Sequence, residues 1–138
     1  MDRTGSLKRS LRTAAEALRR GYNLLIFPEG TRSSKGELLD FKPTAGYLAL
    51  TCNVDVLPVY LHGTYDALPK GSVVPKATDL KVLIGPPITI ARMREVSQSL
   101  PKSEAYRAAT ALMEDAVRAL REKAYAAATP GRTMARVT

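Results

Sequence analysis

LLIFPEGTRSSKGELLDFK, residues 24–42, is the stretch that decides how this chain is read. Leu24–Phe27 is a short, continuous apolar run, the pattern of a strand covered on both faces. Pro28 has no N–H to offer a ladder and turns the chain out of it. In open α/β folds, ligands gather beyond the carboxyl ends of strands, where residues 28–33 fall. Gly30 lets a ligand or another segment approach the backbone closely. Arg32 offers a planar fork suited to phosphate or carboxylate, and Thr31 and Ser33 add hydroxyls. Glu29 would repel a phosphate, so it suits a polyol hydroxyl or a cation. Together these residues describe a site for a ligand carrying both hydroxyls and a phosphate. The alternative is a polar loop in which Glu29 and Arg32 pair with each other. The segment lacks G-x-x-x-x-G-K-[ST], so it is not a nucleotide-type phosphate loop.

Working outward, residues 6–20 form an amphipathic helix with Leu7, Leu11, Ala14, Ala15 and Leu18 on one face and Gly21 at its end. Pro43 suits the first turn of a second helix running through Tyr47, Leu48 and Leu50. Val56–Leu61 is a strand whose Pro58 calls for a bulge or a missing ladder partner. Leu80–Ile84 is a further strand, stopped by Gly85-Pro86-Pro87. Residues 103–126 form a long helix capped by Ser103, with Tyr106, Met113, Val117, Leu120 and Ala124 as its apolar stripe. This order predicts an α/β layered fold with a small, mostly parallel sheet flanked by helices. Three strands make a thin sheet, and an uncovered central strand is a liability for an isolated chain, so residues 1–128 are expected to be part of a larger domain. Residues 129–138 are expected to be a flexible tail.

Charge narrows the partners. The 138 residues carry a formal charge of +8. Residues 1–42 hold nine Lys and Arg against five Asp and Glu, residues 92–138 hold the same, and the middle holds three of each. Two basic ends around a neutral centre suit an anionic partner such as lipid headgroups, a phosphorylated substrate or nucleic acid. Nucleic acid is disfavoured, because no aromatic–basic interleaving, zinc pattern or reading motif is present. No apolar run is long enough to cross a bilayer. The single cysteine, Cys52, excludes an internal disulfide.

FPEGTRS resembles the third sequence block of the glycerolipid acyltransferases, the lysophosphatidate and glycerol-3-phosphate acyltransferases. Asp2-Arg3 is similar to the end of the family's second block. Phe41-Lys42, Leu57-Pro58-Val59 and Gly63 are similar to its later segments, so the likeness runs over roughly residues 2–90. The resemblance implies an O-acyltransferase that moves a fatty acyl group from acyl-CoA or acyl carrier protein to a glycerol phosphate or lysophospholipid hydroxyl. It implies no metal or redox cofactor. Arg3 and Arg32 are then phosphate ligands, Glu29, Gly30, Thr31 and Ser33 shape the polyol site, Lys42 is a further candidate for the anion, and Pro58 is a candidate for acyl-chain or thioester contacts.

The family's general base and its supporting carboxylate lie in an H-x-x-x-x-D block before the second block, and this chain begins inside the second. The resemblance therefore implies a C-terminal portion that is inactive by itself and partnered by the preceding part of its domain. His62 and Asp66 satisfy the spacing formally, but they follow the proline strand instead of preceding the helix, so they are not taken as the catalytic pair. Thr44 stands where the family often has glycine. Peripheral contact with an anionic membrane on the cytoplasmic side is expected, through Arg9, Arg12, Arg19 and Arg20. The competing reading is a non-catalytic module that binds anionic lipid.

Overall fold

The structure is a computed structural model that describes residues 3–127, the side chains of residues 3 and 4 excepted. It is mixed α/β and mostly helical. Helix α1 spans Arg3–Arg19 and α2 spans Thr44–Cys52; strand β1 is Val59–His62, followed by the one-turn helix α3, Thr64–Ala67. Strand β2 is Lys81–Ile84, α4 is Ile90–Ser97 and α5 is Lys102–Ala127. Residues 128–138, and with them the expected tail, lie outside the described residues.

Helix α5 is the spine. Its stripe of Ala109, Met113, Val117, Leu120 and Ala124 is buried along the full length. The N-terminal half packs with Ala45 and Ala49 of α2 and with Met93 of α4, which like Ala109 is wholly removed from solvent. The C-terminal half packs under Tyr60 and Leu83 of the sheet. Phe41 packs against both groups and so joins them.

Two expectations about strands are corrected. The sheet is not mostly parallel: β1 and β2 pair antiparallel, with Val59 opposite Ile84 and His62 opposite Lys81. The intervening segment reverses the chain through α3 instead of carrying it over the sheet in a crossover, so antiparallel pairing is the geometry available. Leu24–Phe27 is extended but belongs to no ladder among the described residues. Its apolar side chains stay uncovered, Leu25 at 77% and Phe27 at 66% exposure. A run this apolar forms a buried strand only when neighbours stand on either side of it.

The proline strand starts at Val59, later than its apolar pattern suggests, and Pro58 supplies the reason. Val56 bridges Ile88 through hydrogen bonds of 2.9 and 2.8 Å. Between that bridge and the Val59–Ile84 pair, residues 57 and 58 face residues 85–87, so the register slips by one. That extra residue is a bulge. Pro58 accepts from Gly85 N–H through its carbonyl, at 2.9 Å, and is itself buried. The long helix begins one residue before Ser103, after Pro101, whose carbonyl takes the Ala105 N–H at 2.8 Å. Thr89 caps α4, which the sequence pattern does not announce, by accepting from Arg92 N–H at 3.2 Å.

Helices α2 and α5 touch most closely at Gly46. A Cβ there would sit 2.1 Å from the Tyr106 carbonyl oxygen and 2.7 Å from Thr110 Oγ1. The buried Thr110 hydroxyl accepts the Gly46 N–H at 3.0 Å. Gly46→Ala is expected to lose about 1–3 kcal/mol net of stability, because the overpacking outweighs the better helix propensity of alanine. Urea unfolding followed by circular dichroism checks this; a Gly46→Ala chain as stable as the parent would contradict the close crossing.

Candidate functional site

Residues 28–42 form a closed loop of the Ω type. Its two ends meet where Lys42 N–H donates to the Pro28 carbonyl at 2.9 Å. One step inside, Leu39 N–H donates to Glu29 Oε2 at 2.7 Å. Gly30 N–H bonds back to the Phe27 carbonyl at 3.1 Å, which holds the turn after the proline. Gly30 has a φ of +70°, a left-handed conformation that glycine adopts without strain. A Cβ on it would lie 2.7 Å from Lys42 Nζ, so the lysine folds directly across this glycine. At the far end, Ser33 Oγ accepts from Lys35 N–H at 3.1 Å, and Tyr65 O–H donates to the Ser34 carbonyl at 2.9 Å. The Tyr65 ring also lies against Gly36.

The loop is tied to the spine as well as to itself. Phe41 N–H donates to Glu114 Oε2 at 2.9 Å. Glu114 Oε1 receives Arg118 through two nitrogens at 2.6 and 2.9 Å, and Arg118 also reaches Asp40 at 3.2 Å. The Phe41 N–H and then the Arg118 guanidinium favour the Glu114 carboxylate over its acid, which lowers its pKa despite partial burial.

The expected site residues fall as follows. Glu29, Gly30, Thr31, Arg32, Ser33 and Lys42 share this one loop. The Glu29–Arg32 pair of the alternative reading does not form: Glu29 takes a backbone N–H instead, and the Arg32 side chain is exposed with no hydrogen bond or ion pair among the described residues. Thr31 is exposed and turns its hydroxyl to the Arg32 carbonyl at a long 3.5 Å. Arg3 opens α1, but its side chain lies outside the described residues, as does Asp2. Pro58 sits in the sheet bulge against Gly85, away from the loop bonds. His62 and Asp66 share no hydrogen bond or ion pair among the described residues. Thr44 simply begins α2, so the departure from glycine leaves Lys42 in place. Sequence reasoning missed Glu114, Arg118 and Tyr65. Glu114 had a signal, a carboxylate next to the buried Met113 on the apolar side of a long helix.

An open groove of about 610 Å³ between α2, α4 and α5 is lined by Leu50, Arg94, Lys102 and Tyr106 and contains none of these loop residues.

Comparisons with known proteins show which family carries this loop. Residues 1–62 match the sequence model of the Acyltransferase family. The chain is 37% identical over 83 residues to a 1-acyl-sn-glycerol-3-phosphate acyltransferase of Limnanthes alba, a match covering 60% of this chain and 28% of that protein. It is 33% identical over 81 residues to the enzyme of the same name from Pseudomonas aeruginosa, covering 59% and 31%. Among solved structures it is similar to PlsC, the 1-acyl-sn-glycerophosphate acyltransferase of Thermotoga maritima, with a TM-score of 0.67 and 29% identity. That match covers 91% of this chain and 46% of the other. Residues 1–62 thus carry the acyltransferase family's pattern, and the chain is homologous over part of its length to 1-acyl-sn-glycerol-3-phosphate acyltransferases. It matches less than a third of the length of either curated relative.

The Glu114 anchor gives a pH test with a definite sign. Its lowered pKa stabilises the fold fully above the ordinary value of 4.5, and that contribution is lost as pH falls through the lowered value. Glu114→Gln is expected to cost about 1–2 kcal/mol at pH 7 and progressively less below pH 4.5. Denaturant midpoints of both chains across pH check it; a cost that stays constant with pH would contradict it.

Proposed function

We propose that this chain is the acceptor-binding part of a lysophosphatidate-type acyltransferase. The intact protein transfers a fatty acyl group from acyl-CoA or acyl carrier protein to a hydroxyl of a glycerol phosphate or lysophospholipid. One observation carries the reading: Lys42 lies across Gly30 in a loop whose two ends meet, and Arg32 of the same loop is exposed with no hydrogen bond or ion pair from its side chain among the described residues. A lysine across glycine backbone and an uncommitted guanidinium on the same loop suit a phosphate, because charge-assisted bonds to its oxygens are strong and directional. Glu29 spends one oxygen on Leu39 N–H and keeps acceptor capacity for a polyol hydroxyl. Thr31 and Ser33 complete the polar wall. Arg3 is the further phosphate ligand that the resemblance implies.

Acyl transfer needs a base for the acceptor hydroxyl. As that oxygen attacks the thioester carbonyl, its proton passes to an imidazole held by a carboxylate, and the thiolate leaves and takes up a proton. The residues that the family uses for this precede Asp2 in the pattern of the resemblance, and His62 is placed elsewhere. They would come from the other part of the domain, for which the uncovered Leu24–Phe27 run is the natural seam. Pro58 is read as a fold element before a substrate contact. No described helix is long and apolar enough to cross a membrane. Arg9, Arg12 and Arg19 are exposed on α1 and unpaired, while Arg20 is held by Glu16 at 2.9 Å. This face suits peripheral contact with an anionic membrane, on the cytoplasmic side in this reading, at about 1 kcal/mol per basic residue.

Calorimetry with glycerol 3-phosphate and glycerol tests the site without requiring turnover. The phosphate ester is expected to bind and glycerol not to. Arg32→Ala and Lys42→Ala should each weaken binding by roughly 10-fold or more, the size of a lost bond to a charged group. Equal binding of both ligands, or binding indifferent to both substitutions, would overturn the reading. With acyl-CoA and lysophosphatidate the chain by itself is expected to give no transfer above background.

A further inference from the structure

Toward the C-terminal end of the spine, beyond the Glu114 and Arg118 anchor, β1 and the last turns of α5 bring together polar groups that make no hydrogen bond to the 28–42 loop among the described residues. His62 ends β1 directly opposite Lys81 of β2. Cross-strand partners share a face of the sheet, here the face of Tyr60 and Leu83 that packs on α5. The His62 ring stands edge-on to Tyr125 of α5, with centroids 5.1 Å apart at 88°. Arg121, one turn before Tyr125, lays its guanidinium carbon 4.9 Å from the centre of the same ring. Burial raises the Tyr60 pKa first and the Tyr125 hydroxyl beside it raises it further, while Arg121 opposes both, so these three groups meet at one point.

Two nitrogens in this cluster, His62 Nδ1 and Arg121 Nε, are buried without a hydrogen-bond partner among the described residues. No carboxylate lies within ion-pair distance of Arg121 among the described residues. Arg118, one turn earlier, is by contrast saturated by Glu114 and Asp40. Buried polar nitrogens left unpaired are costly, and two of them on side chains that both touch the Tyr125 ring suit a common partner. Arg121 and Lys81 are cationic and offer only donors; His62 can donate, and the tyrosine hydroxyls can donate as well. The complementary partner is an anion with several acceptor oxygens.

We propose that His62, Lys81, Arg121 and Tyr125 form a second anion site, one that takes a phosphate group and is separate from the 28–42 loop. The phosphate comes from a soluble ester or from a lipid headgroup, and the same chemistry recognises both. In the second case the sheet end of the molecule faces the bilayer.

His62 is the chain's only histidine, so its ring resonances report on this site alone. The full chain is titrated with inorganic phosphate, then with phosphatidylcholine vesicles with and without phosphatidic acid, while the His62 ring is followed by NMR. A saturable shift with inorganic phosphate at a Kd of about 1 mM is expected, weakened ~10-fold by Arg121→Gln and several-fold by the exposed Lys81→Gln. Arg32→Ala should leave it unchanged. A shift produced only by vesicles with phosphatidic acid, and lost in the same variants, supports the lipid source. No shift with either probe, or shifts that both variants retain, would overturn the proposal. Lys81→Gln lies on the surface, so its result stands even if Arg121→Gln perturbs folding.

Discussion

The hydrogen bond from Phe41 N–H to Glu114 is the joint on which the rest of the molecule depends. On one side of it the Phe41 ring packs against both apolar clusters that α5 gathers. On the other side the 28–42 loop closes on the very next residue, Lys42. A half-buried carboxylate costs free energy unless its oxygens are bonded, and here both are, one to the backbone and one to Arg118. The loop thus starts from a fixed point on the helix instead of from a free chain end. Binding then spends little on ordering the loop, which is where preorganised sites gain affinity.

Glu29 shows how one residue can serve position before chemistry. Its carboxylate ties Pro28–Gly30 to Leu39 and thereby fixes where Gly30 lies under Lys42. Tyr65 does the same for the far end of the loop, from a one-turn helix after β1. Gly63 at that junction has a φ of +87°, and a Cβ on it would come 2.3 Å from the Asp79 carbonyl oxygen. The H-G-T-Y-D stretch is accordingly occupied with turning the chain and bracing the 28–42 loop.

Helix periodicity made α5 legible in the sequence, because it buries a single stripe that the 3.6-residue repeat displays; α2 was announced by Pro43, and α1 forms although only Ala15 of its expected face is buried and Leu7 stays exposed. The FPEGTRS motif made the loop legible, down to the residues that share it. The sheet was less so. Leu24–Phe27 carries the composition of a covered strand, yet composition does not say which segment supplies the cover, and none of the described residues does. Pro58 signalled a bulge, but strand direction depends on how residues 63–80 travel, and local pattern does not encode that. Glu114 and Arg118 were hidden because a charged pair on a helix usually means a solvated face. The Glu114 bond to Phe41 spans 73 residues of sequence.

Amide hydrogen exchange, with and without glycerol 3-phosphate, tests most directly whether the 28–42 loop stands preformed on the spine as the proposed phosphate site. The amides of Leu39, Phe41 and Lys42 should exchange slowly in the free chain, and the ligand should slow them further, while those of Leu25 and Ile26 exchange fast in both states. Rapid exchange at Leu39, Phe41 and Lys42 that the phosphate leaves unchanged would contradict this account.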